Sequence, residues 1–413
     1  MHNMSRRTAV GVFVAFAAAY FLSALIRAIT ATLSPTLTQE FALDASDLGL
    51  LAGGYFLGFA ATQLPLGTWL DRHGPKRVEL RLLAVAVVGC VAFATATSFK
   101  GLLLARVLSG VGVSACLMAP LTGYRRWFAV ASQMRANSWM LMTGSMGMVA
   151  STLPVQWLMP LTGWRPLFWA LAVLVMLAMV LMAWQVPNWV VPSPPSDVEP
   201  ATSNTKAGYA EVWRHPYFRK MAPMGFFIYG GLVAMQTLWV TPWLIQVADW
   251  TAFQAANGMF WLNMAMLVTF WGWGMVNPWL ARQGYSADDL ITYGLPLSFA
   301  LLAIIVITGS AIGDWTGALW AIYCVSCTFI SLAQPAIALA FAPNLAGRAL
   351  SAYNLLIFSG VFVVQWGVGL MIDGFKALGL PELSAFQSAM GIYLLSTVLS
   401  YTYFLMAKSH NRQ

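Results

Sequence analysis

The sequence predicts an all-α membrane protein of twelve transmembrane helices in two six-span halves, with both termini in the cytoplasm. Three observations predict it. Of 413 residues, 59% are hydrophobic and only 9% charged, with a mean hydropathy of +0.70; soluble chains carry about 25% charged residues. Apolar runs long enough to cross a bilayer, about 20 residues each, recur along the whole chain. The basic residues fall mostly in alternate loops. This composition excludes a water-soluble enzyme and a disordered chain. The net charge of +8 marks cytoplasmic loops rather than a nucleic-acid partner.

The first run, 10–33, follows Arg6 and Arg7 as the core of a signal peptide would. It stays apolar for well over 20 residues and more runs follow, so it reads as a retained first span. Spans two to six cover about 47–67, 78–98, 101–123, 136–158 and 166–186, each bounded by turn or charge signals. Residues 187–219 are the longest hydrophilic stretch. It opens with VPSPPSDVEP, which cannot hold a helix. It continues as GYAEVWRHPYFRK, whose aromatic and basic residues suit a short helix at the inner membrane surface. Spans seven to twelve then cover about 220–246, 254–280, 289–312, 315–341, 348–373 and 384–407. The linker thus divides an N-terminal bundle, 1–186, from a C-terminal bundle, 220–413, an internal repeat at the level of topology.

With the N-terminus inside, sixteen Lys and Arg face the cytoplasm and three (Lys100, Arg165 and Lys376) face out. Arg27, Arg81 and Arg106 lie in or at the edge of spans. That bias sets the orientation. Cys90, Cys116, Cys324 and Cys327 all fall in apolar stretches, so no disulfide framework is implied, and the Cys324/Cys327 pair lacks the setting of a redox motif.

Between spans two and three runs Gly67-Thr-Trp-Leu-Asp71-Arg72-His73-Gly74-Pro75-Lys76-Arg77. Gly67 permits close helix approach, Gly74 and Pro75 force a tight turn, and Asp71 can cap a helix or pair with nearby cations. This loop resembles the signature loop of the major facilitator superfamily, Gly-x-x-x-Asp-Arg-x-Gly followed by basic residues. Gly67, Asp71, Arg72, Gly74 and Lys76 match, and Pro75 stands where a basic residue is usual. The equivalent stretch of the second half, Asn277 to Gly284, keeps Arg282 and Gly284 but lacks the leading Gly and the Asp. Span four adds Arg106-Val-Leu-Ser-Gly110-Val-Gly112, similar to a second pattern of that family. The resemblance implies two pseudo-symmetric six-helix bundles around a central cavity that opens alternately to each side. It implies a gating role for the loop, and a coupling or gating role for Arg106, with structural pairing as the alternative.

An ionisable side chain at membrane depth is costly, so each is a functional candidate. Carboxylates and histidines sort to tails, loops and span ends, and Glu79 and Arg81 read as an interfacial charge cluster. Arg27 is the exception. Tyr20, Ser23, Arg27, Thr30 and Ser34 recur at helical spacing and form one polar stripe on span one. An unpaired guanidinium there is costly when empty, and a carboxylate, sulfonate or phosphate relieves it. The competing reading is that Arg27 snorkels outward or bonds backbone carbonyls.

An Arg in span one also resembles the family's organic-anion branch, sugar-acid symporters and organophosphate exchangers. The likeness thins where Ile26 and Val113 replace the acidic residues usual in sugar-acid symporters, and span seven carries no second Arg. Coupling through a buried carboxylate and transport of phosphate esters are therefore disfavoured. Span five, Gly144 to Pro154, lacks the Gly-Pro-rich motif of drug antiporters.

Further cavity candidates are Tyr229, Gln236 and Trp243 on span seven and Trp320, Tyr323, Cys327 and Gln334 on span ten. Tyr124, Asn137, Asn263, Asn354 and Gln365 add amide and phenol groups. One Arg among amides and aromatic walls suits a small organic anion. The expectation is a secondary transporter of the bacterial inner membrane, a monomer without cofactor or metal, with proton or sodium as possible coupling ion. Efflux of amphipathic compounds is the alternative. An intramembrane enzyme is disfavoured because no nucleophile, base or metal cluster is placed at depth.

Overall fold

Apolar segments in lipid must satisfy their backbone internally, and each predicted span does so as a helix. The structure, a computed structural model, describes residues 6–189 and 205–407. The proline-rich part of the linker, within 190–204, lies outside them. Among the described residues nine helical stretches are long and apolar enough to cross a membrane. One of these, Ala287–Ala340, is 54 residues long, twice a span, and turns back at Gly309 and Gly313, where φ is positive. Two further spans escape that measure: Ala45–Ala61 with Gln63–His73, and Val130–Ala150 with Leu153–Thr162. Twelve spans result.

Several helices outrun their apolar cores. Span one is Arg6–Phe41, span eight Ala252–Arg282 and span eleven Pro343–Ala377. Helical hydrogen bonds form equally well beyond the hydrocarbon, so polar ends simply prolong them. Span three (Pro75–Thr95), span six (Trp164–Gln185), span seven (Pro216–Gln246) and span twelve (Glu382–Met406) are close to expectation. Span four breaks at Ser114 to Leu117, between Phe99–Val113 and Met118–Trp127. Span seven carries two π-helical stretches, Met224–Tyr229 and Met235–Trp239. Such local departures from α-geometry often mark functional positions.

The repeat is written in the backbone. Positive φ falls at Ala42 and Asp249, at Gly74 and Gly284, and at Gly163 and Gly379. Each pair occupies the same loop of the two halves. Asp44 and Thr251 likewise cap spans two and eight with their side chains.

All three ion pairs among the described residues join groups that the basic-residue bias puts on one side. Arg165–Glu40 (2.7 Å) and Lys376–Glu382 (2.9 Å) lie on the face opposite the termini, and Lys220–Asp288 (2.7 Å) on the termini face. The halves meet most closely on the face away from the termini. There Asp373 accepts from the amides of Ala45 and Ser46 at 3.2 and 2.7 Å. A methyl group added at Gly49 or Gly369 would sit 2.3 Å from the Gln365 carbonyl or 2.2 Å from that of Ala45. At the termini face Gly67 meets only the Ser351 hydroxyl, at 4.0 Å. The close approach expected at Gly67 is therefore absent, because spans two and eleven have spread apart there. The predicted linker helix is present as Thr205–Arg214 and packs on protein: Val212 is fully buried and the Tyr209 hydroxyl donates to the Leu64 carbonyl at 3.2 Å.

Candidate functional site

The polar stripe of span one lies inside the protein, as helical spacing required. Tyr20, Ser23 and Thr30 are buried, Ser34 bonds the Ala31 carbonyl at 2.7 Å, and Arg27 keeps some exposure. The Arg27 guanidinium meets the phenols of Tyr20 and Tyr55, with the Phe59 ring centre 5.9 Å away. Its Nε is buried and has no hydrogen-bond partner, nor have the hydroxyls of Ser23 and Thr30. Tyr229 approaches Tyr20 and Arg27 from the other half. Neither snorkelling nor carbonyl bonding describes Arg27: it is held at a junction of the halves, with no acid paired to it among the described residues.

Arg106 takes the role that Arg27 does not. It is fully buried and donates from Nη1 to the Ile26 carbonyl at 2.8 Å and from Nη2 to the Arg27 carbonyl at 3.4 Å, with its charge 4.9 Å from the Tyr55 ring centre. Gly110, one turn on, makes this contact of spans two and four possible, since a Cβ there would fall 1.9 Å from the Tyr55 carbonyl. Tyr55 thus stands between both arginines. Sequence reasoning missed it because a lone Tyr in an apolar run carries no periodic signal.

The second-half candidates divide. Gln236 donates to Asn263 and Gln334 to Asn354, both at 2.8 Å, and Gln365 donates to Thr237 at 2.9 Å. The first two are amide–amide pairs, whereas the buried Oε1 of Gln365 has no partner. Trp243 packs edge-on to Trp320 at 5.8 Å, and the Tyr323 and Tyr393 hydroxyls share a hydrogen bond of 3.1 Å. Trp243, Trp320 and Tyr323 are core side chains of the second half, and Cys324 and Cys327 remain free thiols. Of the second-half candidates, Tyr229 is the one brought to Arg27.

In the loop motif Asp71 is not a cap: span three is preceded by Gly74 at φ 78°, with Pro75 in its first turn. A side chain at Gly74 would also collide with Trp189. Asp71 and Arg72 are exposed and Lys76 partly so, and the charge of Arg125 at the foot of span four acts on Asp71. A groove of about 240 Å³ lined by Trp69, His73, Val78, Arg81 and Leu82 opens beside the loop and holds none of the predicted substrate residues. The Glu79–Arg81 cluster does not exist. Arg81 is exposed, whereas Glu79 has no exposed surface and neither of its oxygens has a partner. Two residues along a helix separate side chains by about 200°, which sends one outward and the other into the bundle.

Twelve spans in two repeated halves, with arginine nitrogens buried where the halves approach, describe a multi-pass membrane protein built as a repeat. The chain belongs to the Major Facilitator Superfamily, whose family model matches residues 16–365. Over 110 residues it is 33% identical to the nitrate/nitrite transporter NrtP of Picosynechococcus sp., covering 27% of this chain and 20% of that one. Over 166 residues it is 25% identical to the 4-hydroxybenzoate transporter PcaK of Acinetobacter baylyi, covering 39% of this chain and 36% of that one. The matches span a fifth to about two-fifths of the length of these relatives. A solved structure of a bacterial homolog of the human lysosomal transporter Spinster, inward-facing and unoccupied, matches with TM-score 0.78 and 17% identity over 98% of both chains. At that identity the likeness is one of fold.

Proposed function

We propose that this protein carries a small organic anion, a carboxylate, across the bacterial inner membrane by alternating access, in symport or exchange. The observation that carries the reading is Arg27: a partly exposed guanidinium between the halves whose Nε lacks an acceptor and which no acid neutralises. A bound carboxylate supplies the missing acceptor and the missing charge. The phenols of Tyr20, Tyr55 and Tyr229 around it suit an aromatic acid. Nitrate and 4-hydroxybenzoate, named for the two relatives above, are both anions.

In this reading the bundles 1–186 and 220–413 rock about the junction, and residues 187–219 tie them on the cytoplasmic side. Close packing at the face away from the termini and the spread at Gly67 support an inward-open state. Asp71, Arg72, Lys76 and Arg125 then form the cytoplasmic gate that closes in the opposite state. The protein works as a monomer.

A thermal-shift screen of the purified protein tests the proposal. At a hundred times its dissociation constant a ligand adds about 2.7 kcal/mol to stability. Aromatic carboxylates such as 4-hydroxybenzoate are expected to raise the melting temperature of the native chain and not of Arg27→Ala. Stabilisation by lipophilic cations alone would overturn the reading in favour of efflux.

A further inference from the structure

Span three begins basic and turns apolar along a single exposed stripe. Arg77, Arg81, Ala84 and Val88 are all exposed and recur at spacings of three and four, so they share one face. From Arg81 to Val88 the stripe runs about 10 Å at 1.5 Å per residue, within the ~15 Å half-thickness of a bilayer core. Arg81 also walls the groove of about 240 Å³ beside the loop. Across that groove stand Trp69 and His73, one turn apart on span two, and its floor is the buried pair Val78 and Leu82.

The charge at this place has one sign. Among the described residues neither Arg77 nor Arg81 takes part in an ion pair. No acid lines the groove. Asp71 is two residues from both Trp69 and His73, about 200° round the helix, and Glu79 is wholly buried. The second half has no counterpart. No Lys or Arg occurs between Arg282 and Arg348, and Asp288 and Asp289 stand where span nine begins. The basic groove is thus local to spans two and three.

We propose that this groove binds an anionic phospholipid from the leaflet on the termini side. The Arg81 fork and the indole N–H of Trp69 hold the phosphodiester, His73 and Arg77 flank it, and an acyl chain lies along Ala84 and Val88. A guanidinium matches phosphate oxygens in charge and geometry, and tryptophan favours the headgroup level. Basic pockets between spans attract anionic headgroups for the same reasons. Inorganic phosphate would meet the cations and leave the apolar stripe unused. A zwitterionic lipid would cover the stripe but bring its own cation to two arginines. An anionic lipid satisfies both ends. The inference does not depend on the anion reading of Arg27.

A fluorophore on Ala84→Cys in the full chain tests this, since the four native cysteines are buried. The protein is placed in phosphatidylcholine vesicles containing a trace of spin-labelled phosphatidylglycerol or spin-labelled phosphatidylcholine. Phosphatidylglycerol is expected to quench the label more strongly at equal mole fraction. Adding Arg81→Gln should lower that preference about fivefold, the share of one cation near the surface. Arg81→Lys, which keeps the charge, should retain most of it. The comparison label is Tyr293→Cys, an exposed position nine residues past Gly284 as Ala84 is ten past Gly74. There the two lipids should quench alike. Equal quenching at Ala84→Cys, or a preference untouched by Arg81→Gln, overturns the proposal. An equal preference at Tyr293→Cys overturns it in favour of a general basic belt. Loss of the preference in sodium phosphate, but not in sodium chloride of the same ionic strength, overturns it in favour of a site for free phosphate.

Discussion

Two arginines on facing helices show how burial and partners divide one residue type into two roles. Both leave a buried Nε without a partner, but Arg27 keeps some exposure among phenols, whereas Arg106 is fully buried and spends its two Nη atoms on the carbonyls of Ile26 and Arg27. Arg27→Ala is expected to weaken carboxylate binding about 100-fold, the ~3 kcal/mol of a charge-assisted contact, with the melting temperature of the empty protein nearly unchanged. Equilibrium binding by ligand-induced thermal shift checks this. An unpaired buried cation is seldom kept for stability alone. Arg106→Met should therefore melt at the same or a higher temperature than the native chain while losing transport. A fall equivalent to more than about 2 kcal/mol would make Arg106 a structural clamp. Arg27 was legible in the sequence because an ionisable residue in an apolar run is anomalous by itself. Tyr55 and Glu79 were not: one is an ordinary aromatic, and the other lies two residues from an exposed arginine and looks interfacial.

Among the elements, the departures from regular helix matter most. Span four opens at Ser114 to Leu117, which includes the buried Cys116, and the π-helical turn of span seven ends on Tyr229, on which the charge of Arg27 acts. No sequence pattern announces either, since both follow from how neighbouring spans pack. Turn chemistry was more readable. Gly74-Pro75 was expected to turn sharply, and it does, although the glycine and not Asp71 occupies the cap. The feet of spans seven and nine are joined by Lys220 and Asp288, with the Tyr217 hydroxyl donating to the same carboxylate at 2.7 Å. The Lys220 side chain is only 9% exposed, and its ammonium lies 4.4 Å from the Phe404 ring centre. Asp288→Ala strands that charge and should cost about 3 kcal/mol, read as a lower melting temperature in detergent. Lys220→Met with Asp288→Ala should recover most of the loss.

For the molecule as a whole, the paired positive-φ residues and paired caps make the halves copies of one plan, and the contacts between them are unequal at the two faces. If that inequality is one state of a rocking cycle, ligand will shift it. Spin labels at Arg72 and Gly347, on the termini face, should move closer when 4-hydroxybenzoate binds, and labels at Thr97 and Ala377 should move apart. Distances unchanged in both pairs would count against alternating access.

Span number, the division into halves and the expected orientation were carried by hydropathy and by the placement of basic residues. Both are solvation properties of single residues and survive being read one position at a time. Which polar groups meet was decided only by the packed bundle. Arg27 among phenols, amides closed on one another and Glu79 sealed without a partner all depend on helices distant in sequence approaching at particular angles. Burial of a charge is a property of that assembly, because the cost or use of an ionisable group is set by what surrounds it rather than by what precedes it in the chain.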